Sequence, residues 1–346
     1  MWLRTLQRLC TAVDGSFAFA WKAMKRHYPR LLRPALAGGL LLGAFSVTAA
    51  AQTTTRWSTP TLGFVFDADS KSIRTLSGVI GAASLDGGIA VSSKLDKASI
   101  SPNRQIALAE TADSDHLLLV RWNGKAASAE PLYGSPSSAD LIAWSPDGLT
   151  AAVYNAASQQ VWVWKSIGAE PKLTQQSPAS DLRAIAVADD GFAVGSTDSG
   201  LFQLAAEPKQ LSATPYSALA FAPGSHDLAA GDSVLNQVVL LHDSTPDAQI
   251  ALATAADGIG QPIGIAYSRD GSKLAVANAT AKSVLLIDTT TSSRQTFSCD
   301  CTPDGVFAAA GNAVFRLTNT GQDRLTLLDA DSAEARLVTV PVGGRQ

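Results

Sequence analysis

The sequence predicts an all-β fold built by repeating a small antiparallel sheet, on three observations. Two segments whose starts lie 123 residues apart, WSPDGLTAAVYN from Trp144 and YSRDGSKLAVAN from Tyr267, agree at six of twelve positions. Four more segments follow the same pattern, from Ile100, Val187, Phe221 and Cys301, so the unit recurs about every 40 residues. Long helical periodicity is absent from 52–346, where short apolar runs alternate with Pro, Asp and Gly.

Taken from the N-terminus, residues 1–51 read as an N-terminal extension and signal peptide. Lys25, Arg26, Arg30 and Arg33 precede the apolar run PALAGGLLLGAFSV, and Ala49 and Ala51 supply small residues for cleavage after Ala51. The run contains paired glycines and falls short of the roughly 18–20 residues that span a bilayer, so no stable membrane span is expected after cleavage. A retained anchor is the competing reading. Met24 is an alternative true start, since a leader beginning there has ordinary length. Periplasmic or extracellular export is the expectation.

The remaining domain, 52–346, is read in units. Each begins with an apolar strand and a turn whose backbone suits Pro, Asp and Gly: Pro102, Asp147–Gly148, Asp190–Gly191, Asp270–Gly271 and Asp304–Gly305. A second small apolar strand follows, then a third such as QVWVWK or SVLLIDT, then a more polar fourth such as SRQTFSC or ARLVTVP. Four short strands per unit of roughly 40–45 residues is the period of a β-propeller blade. The first hairpin, LGFVFDADSKSIRTLSG from Leu62, has the form of VLLIDTTTSSRQTFS from Val284 and is read as a third and fourth strand. Seven such outer pairs against six inner pairs predict a single β-propeller of seven blades of four antiparallel strands, one of them closed by both chain ends. Six blades with an N-terminal appendage is the alternative.

YSRDGSKLAVANATAKSVLLIDT resembles the repeats of bacterial exported YVTN-type propellers, and WSPDG followed by WVWK resembles the related WD40-like repeats. The resemblance covers most of the chain after residue 60 and concerns repeat form, so it implies the fold and little about function. TolB-like proteins also use SPDG blades, but an α/β domain precedes their propeller, and residues 52–61 leave no room for one.

Removing the seven basic and one acidic residues of 1–51 from the 27 and 30 of the whole chain leaves 20 against 29, a net charge of −9. That field disfavours nucleic acid. Cys299 and Cys301 are a candidate disulfide that would need a bend at Asp300, with two unpaired small residues or a metal or redox role as rivals. His116, His226 and His242 occupy dissimilar places in the repeat and read as surface or strand-edge residues. The recurring Asp147, Asp190, Asp270 and Asp304 are explained by turn geometry, and Asp243, Asp288 and Asp329 by strand ends. Trp144, Trp162 and Trp164 read as core of one blade.

No catalytic, cofactor-binding or metal constellation emerges. The expected function is an exported protein-binding or scaffolding module with a protein partner in the cell envelope. The alternative is a lactonase-like propeller hydrolase acting at the central channel, a reading that the YVTN resemblance implies.

Overall fold

The computed structural model describes residues 59–342, apart from 125, 247–248 and 323. The leader, with Met24, Ala49 and Ala51, lies outside the described residues. Seven antiparallel sheets follow one another along the chain, which decides the blade number against six. Blade 1 comprises β1 (Thr61–Asp67), β2 (Ser72–Ser77) and β3 (Ser84–Gly88). The other six have four strands each, with first strands at Lys97–Ile100, Leu141–Trp144, Ala184–Val187, Ala218–Phe221, Pro262–Tyr267 and Phe307–Ala308. Among the described residues no helix is long and apolar enough to cross a membrane.

Each of the seven apolar clusters is one blade-to-blade interface, and strand alternation explains why. In blade 3, Ala151, Val153, Trp162 and Trp164 face blade 2. The intervening Ala152, Tyr154, Val161 and Val163 face blade 4. A strand buried on both faces must be apolar at every position, hence the unbroken runs IALA and AAV. Alanines concentrate in these second strands, where neighbouring sheets converge toward the axis, and larger residues in the third, as a tapering wedge requires. Trp144 also donates from Nε1 to Ser99 Oγ of blade 2 at 3.0 Å.

Two sequence expectations are corrected. The first hairpin is a second-to-third-strand hairpin, one step earlier in the blade than predicted. Its loop, Asp67–Ser72, lies beside Thr320 in the corresponding loop of blade 7, whose hydroxyl donates to Phe66 O at 3.3 Å. The pattern of an Asp or Asn, four loop residues and a polar strand start recurs at Asn155–Gln160, Asp232–Gln237 and Asn278–Ser283. Blade 1 therefore has no innermost strand among the described residues. Among the described residues each sheet comes from one contiguous segment, and none draws strands from both ends of the chain.

The second correction concerns Asp304–Gly305. They precede the first strand of blade 7 instead of following it, and the turn between its first two strands is 309–313. Asp304 N donates to Leu317 O, and its carboxylate accepts from Asn319 N, both at 2.8 Å. Pro-Asp-Gly states that the chain turns, without stating which strands it joins.

Candidate functional site

The turns between first and second strands form one face around the axis, and their polar groups stitch neighbouring blades together. Ser101 Oγ and Asn103 Nδ2 of blade 2 donate to Gly148 O at 2.8 and 2.9 Å. Asp189 of blade 4 accepts from Asp147 N of blade 3 at 2.9 Å and from Gly224 N of blade 5 at 3.0 Å. Asn312 of blade 7 accepts from Arg269 N and Asp270 N of blade 6.

The predicted turn residues Pro102, Asp147–Gly148, Asp190–Gly191 and Asp270–Gly271 all lie on this face. Their carboxylates accept local amides: Leu149 N on Asp147, Phe192 N on Asp190 and Ser272 N on Asp270. That amide, with the Ser268 hydroxyl, holds Asp270 well below the usual carboxylate range. Asp288 and Asp329 cap the ends of third strands in the same manner, and Asp243 lies in a short 3-10 turn.

His226 meets Asp190 here at 3.0 Å and stacks on Phe192 at 4.7 Å between ring centroids. His242 meets Asp227 at 3.2 Å. The first pair joins blades 4 and 5, and the second lies within blade 5. His116 stands apart, edge-on to Tyr133. Among the described residues no three His, Cys, Asp or Glu side chains converge to hold a metal ion.

The opposite face carries the loops between second and third strands. A cavity of about 480 Å³ opens there between blades 3 and 4, lined by Gln159, Leu182, Phe202 and Leu204 with Asp181 and Asp198. In blade 5 the same kind of loop presents Val234 and Leu235 to solvent, 74% and 64% exposed. Their backbone is held firmly. The Asp232 carboxylate accepts both amides at 2.8 and 2.9 Å, and Asn236, at φ 51°, accepts from Gln261 N at 2.8 Å. At these two positions the corresponding loops carry Asp69 and Ser70, Ala157 and Ser158, and Thr280 and Ala281. Only side-by-side alignment of the four loops would have singled out Val234 and Leu235 in the sequence.

Cys299 and Cys301 are joined as a disulfide, with Cα atoms 5.0 Å apart across a bend at Asp300. The bridge lies on the connection from blade 6 to blade 7, where Cys299 N donates to Lys282 O at 2.8 Å.

Comparison with known proteins locates the fold. The sequence matches no family model and no curated protein. A protein from Lactobacillus plantarum superposes with a TM-score of 0.58 at 16% identity, over 82% of this chain and 96% of that one. The fold is a WD40-like seven-bladed β-propeller. The WD40 repeats of RRP9 align with a TM-score of 0.51 at 12% identity, over 71% and 80% of the two chains. The periplasmic gluconolactonase PpgL of Pseudomonas aeruginosa aligns with a TM-score of 0.54 at 15% identity, over 82% and 96%. At these identities the likeness concerns architecture.

Proposed function

We propose that this chain is an exported propeller that binds a protein partner on the face carrying the second-to-third-strand loops. The observation that carries the reading is the Val234–Leu235 pair. Two large apolar side chains stand in water on a loop whose backbone hydrogen bonds fix it, where sister loops carry small or polar residues. Desolvating each on a partner is worth up to about 1.5–3 kcal/mol, and a fixed loop loses little entropy on docking. The neighbouring cavity between blades 3 and 4 adds a concave element on the same face.

Export is supported by the leader-like residues before Ala51 and by a disulfide, which persists in oxidising compartments. The cell envelope is accordingly where the partner is sought. The hydrolase reading has the His226–Asp190 pair to draw on, yet that pair is accounted for as a clasp between two turns.

Capture of envelope proteins on immobilised chain, compared with a Val234→Ser/Leu235→Ser variant, tests the proposal. A stoichiometric partner retained by the wild type and reduced at least tenfold by the variant is expected. A partner retained equally by both would place docking elsewhere, and none retained by either would overturn the reading.

A further inference from the structure

The seam between blades 3 and 4 stays open on the face of the second-to-third-strand loops, and the local sequence explains the opening. Blade 4 turns from its second strand, Ala193–Thr197, into its third, Gly200–Leu204, over Asp198 and Ser199 alone. Blades 1, 3, 5 and 6 use four residues there. The shorter loop covers less of the seam beneath it. At the place of Phe202 in the third strand, blades 3, 5 and 6 carry Trp162, Val239 and Leu285, all buried, whereas Phe202 is half-buried and lines the cavity of about 480 Å³. Gly195 stands across the ladder from Phe202, where those blades have Val153, Ala230 and Val276. Leu182 fills the room that the glycine leaves, since a Cβ at 195 would lie 2.8 Å from Leu182 Cδ2.

One wall of the cavity is the chain that passes from blade 3 to blade 4, and it is tied to both. Ala179 N donates to Gln159 O at 2.9 Å, and Arg183 N donates to Ser196 O at 2.8 Å. The cavity is therefore preformed. Phe202, Leu182 and Leu204 supply apolar surface, and the only charged residues in its lining are Asp181 and Asp198. Asp198 pairs with Arg183, both side chains being more than half exposed. Among the described residues the Asp181 carboxylate meets no cation and accepts no hydrogen bond. An aromatic ring, aliphatic side chains and an uncompensated carboxylate, with no basic residue in the lining, complement a positive charge carried on an apolar body. The ring attracts a cation through its face, and the carboxylate through a charge-assisted hydrogen bond. The volume lies within the range of small-molecule sites.

We propose that this cavity binds a small organic cation, an ammonium group on an arylalkyl body. The site needs no protein partner, so it stands or falls separately from docking at Val234 and Leu235.

The test is ligand-observed NMR titration of the purified chain with phenethylammonium, using phenethyl alcohol and phenylacetate as its neutral and anionic counterparts. Saturable one-to-one binding of the ammonium is expected, at least about threefold tighter than the alcohol and with no binding of phenylacetate. Phe202→Ala should weaken it about tenfold through lost apolar contact. Asp181→Asn keeps a residue that tolerates the left-handed backbone at φ 54°. It should weaken binding about threefold, and Arg183→Gln, which frees Asp198, should tighten it about twofold. These two variants change exposed side chains and decide the matter if Phe202→Ala fails to fold. Absence of saturable binding, equal binding of ammonium and alcohol, or binding that Asp181→Asn and Arg183→Gln both leave unchanged overturns the proposal. A protein partner captured by a chain that does not bind the ammonium would leave the docking reading standing and remove this one.

Discussion

Asp232 shows how one side chain can fix a surface. Its carboxylate is 1% exposed and accepts the amides of the two residues whose side chains face outward. Asp232→Ala would strand both donors and should cost about 1–2 kcal/mol in urea denaturation. Asp232→Asn should be nearly neutral, because Asn155 and Asn278 hold the same place in blades 3 and 6. Asp270 supplies a pH test. Its folded pKa lies below the unfolded value near 4, so its contribution is complete above that pH and is lost as pH falls through the folded value. Asp270→Asn keeps an acceptor but cannot titrate. The stability gap between wild type and Asp270→Asn should therefore shrink when urea midpoints are measured from pH 6 down to pH 2.

At the scale of elements, the blades are registered by short hairpins with a common backbone device. Lys71, Gln159, Asn236 and Lys282 end the second-to-third-strand loops with φ between 45° and 52°. The carbonyls of Lys71, Gln159 and Lys282 accept from Leu95, Ala179 and Cys299, the chain that enters the next blade. The turns of the opposite face have their own requirement at Gly148, with φ 71°, where a Cβ would lie 2.8 Å from Asn103 N. Gly148→Ala should cost about 1–3 kcal/mol and loosen the contact between blades 2 and 3, seen as faster amide exchange at Asn103. These elements were legible in the sequence to the extent that their chemistry is local. The turns of blades 2, 3, 4 and 6 stood where Pro, Asp and Gly announced them. Asp304–Gly305 and the first hairpin were misplaced because similar loops join different strand pairs. Only the rim on which Asp67 meets Thr320 tells those pairs apart.

For the whole molecule, the decisive contacts are the seven interfaces, and the one between blades 7 and 1 closes the ring. Leu62, Val65 and Leu76 pack there on Leu325 and Leu327. Leu327→Ala should cost about 2–5 kcal/mol and raise hydrogen exchange in both end blades, although 327 and 62 are distant in sequence. The Cys299–Cys301 bridge encloses a very short loop and should matter less: in the loop-entropy account, replacing both cysteines with serine costs about 1.5 kcal/mol. Repetition made the ring itself readable, because a period near 40 with four strands has few other solutions. The meeting of Asp189 with Asp147 and Gly224 was not readable, since residues 42 and 35 positions apart come together only once their blades pack.

That closure has a mechanical consequence. Within a blade, strands are held by ladders of backbone hydrogen bonds, but the seam between blades 7 and 1 relies mainly on side-chain packing, joined by the backbone bond from Ala310 N to Leu62 O. Traction applied to the two ends of the domain should therefore open the seam like a clasp before any sheet yields. The force trace would show an early low-force step, followed by the release of blades from the ends inward.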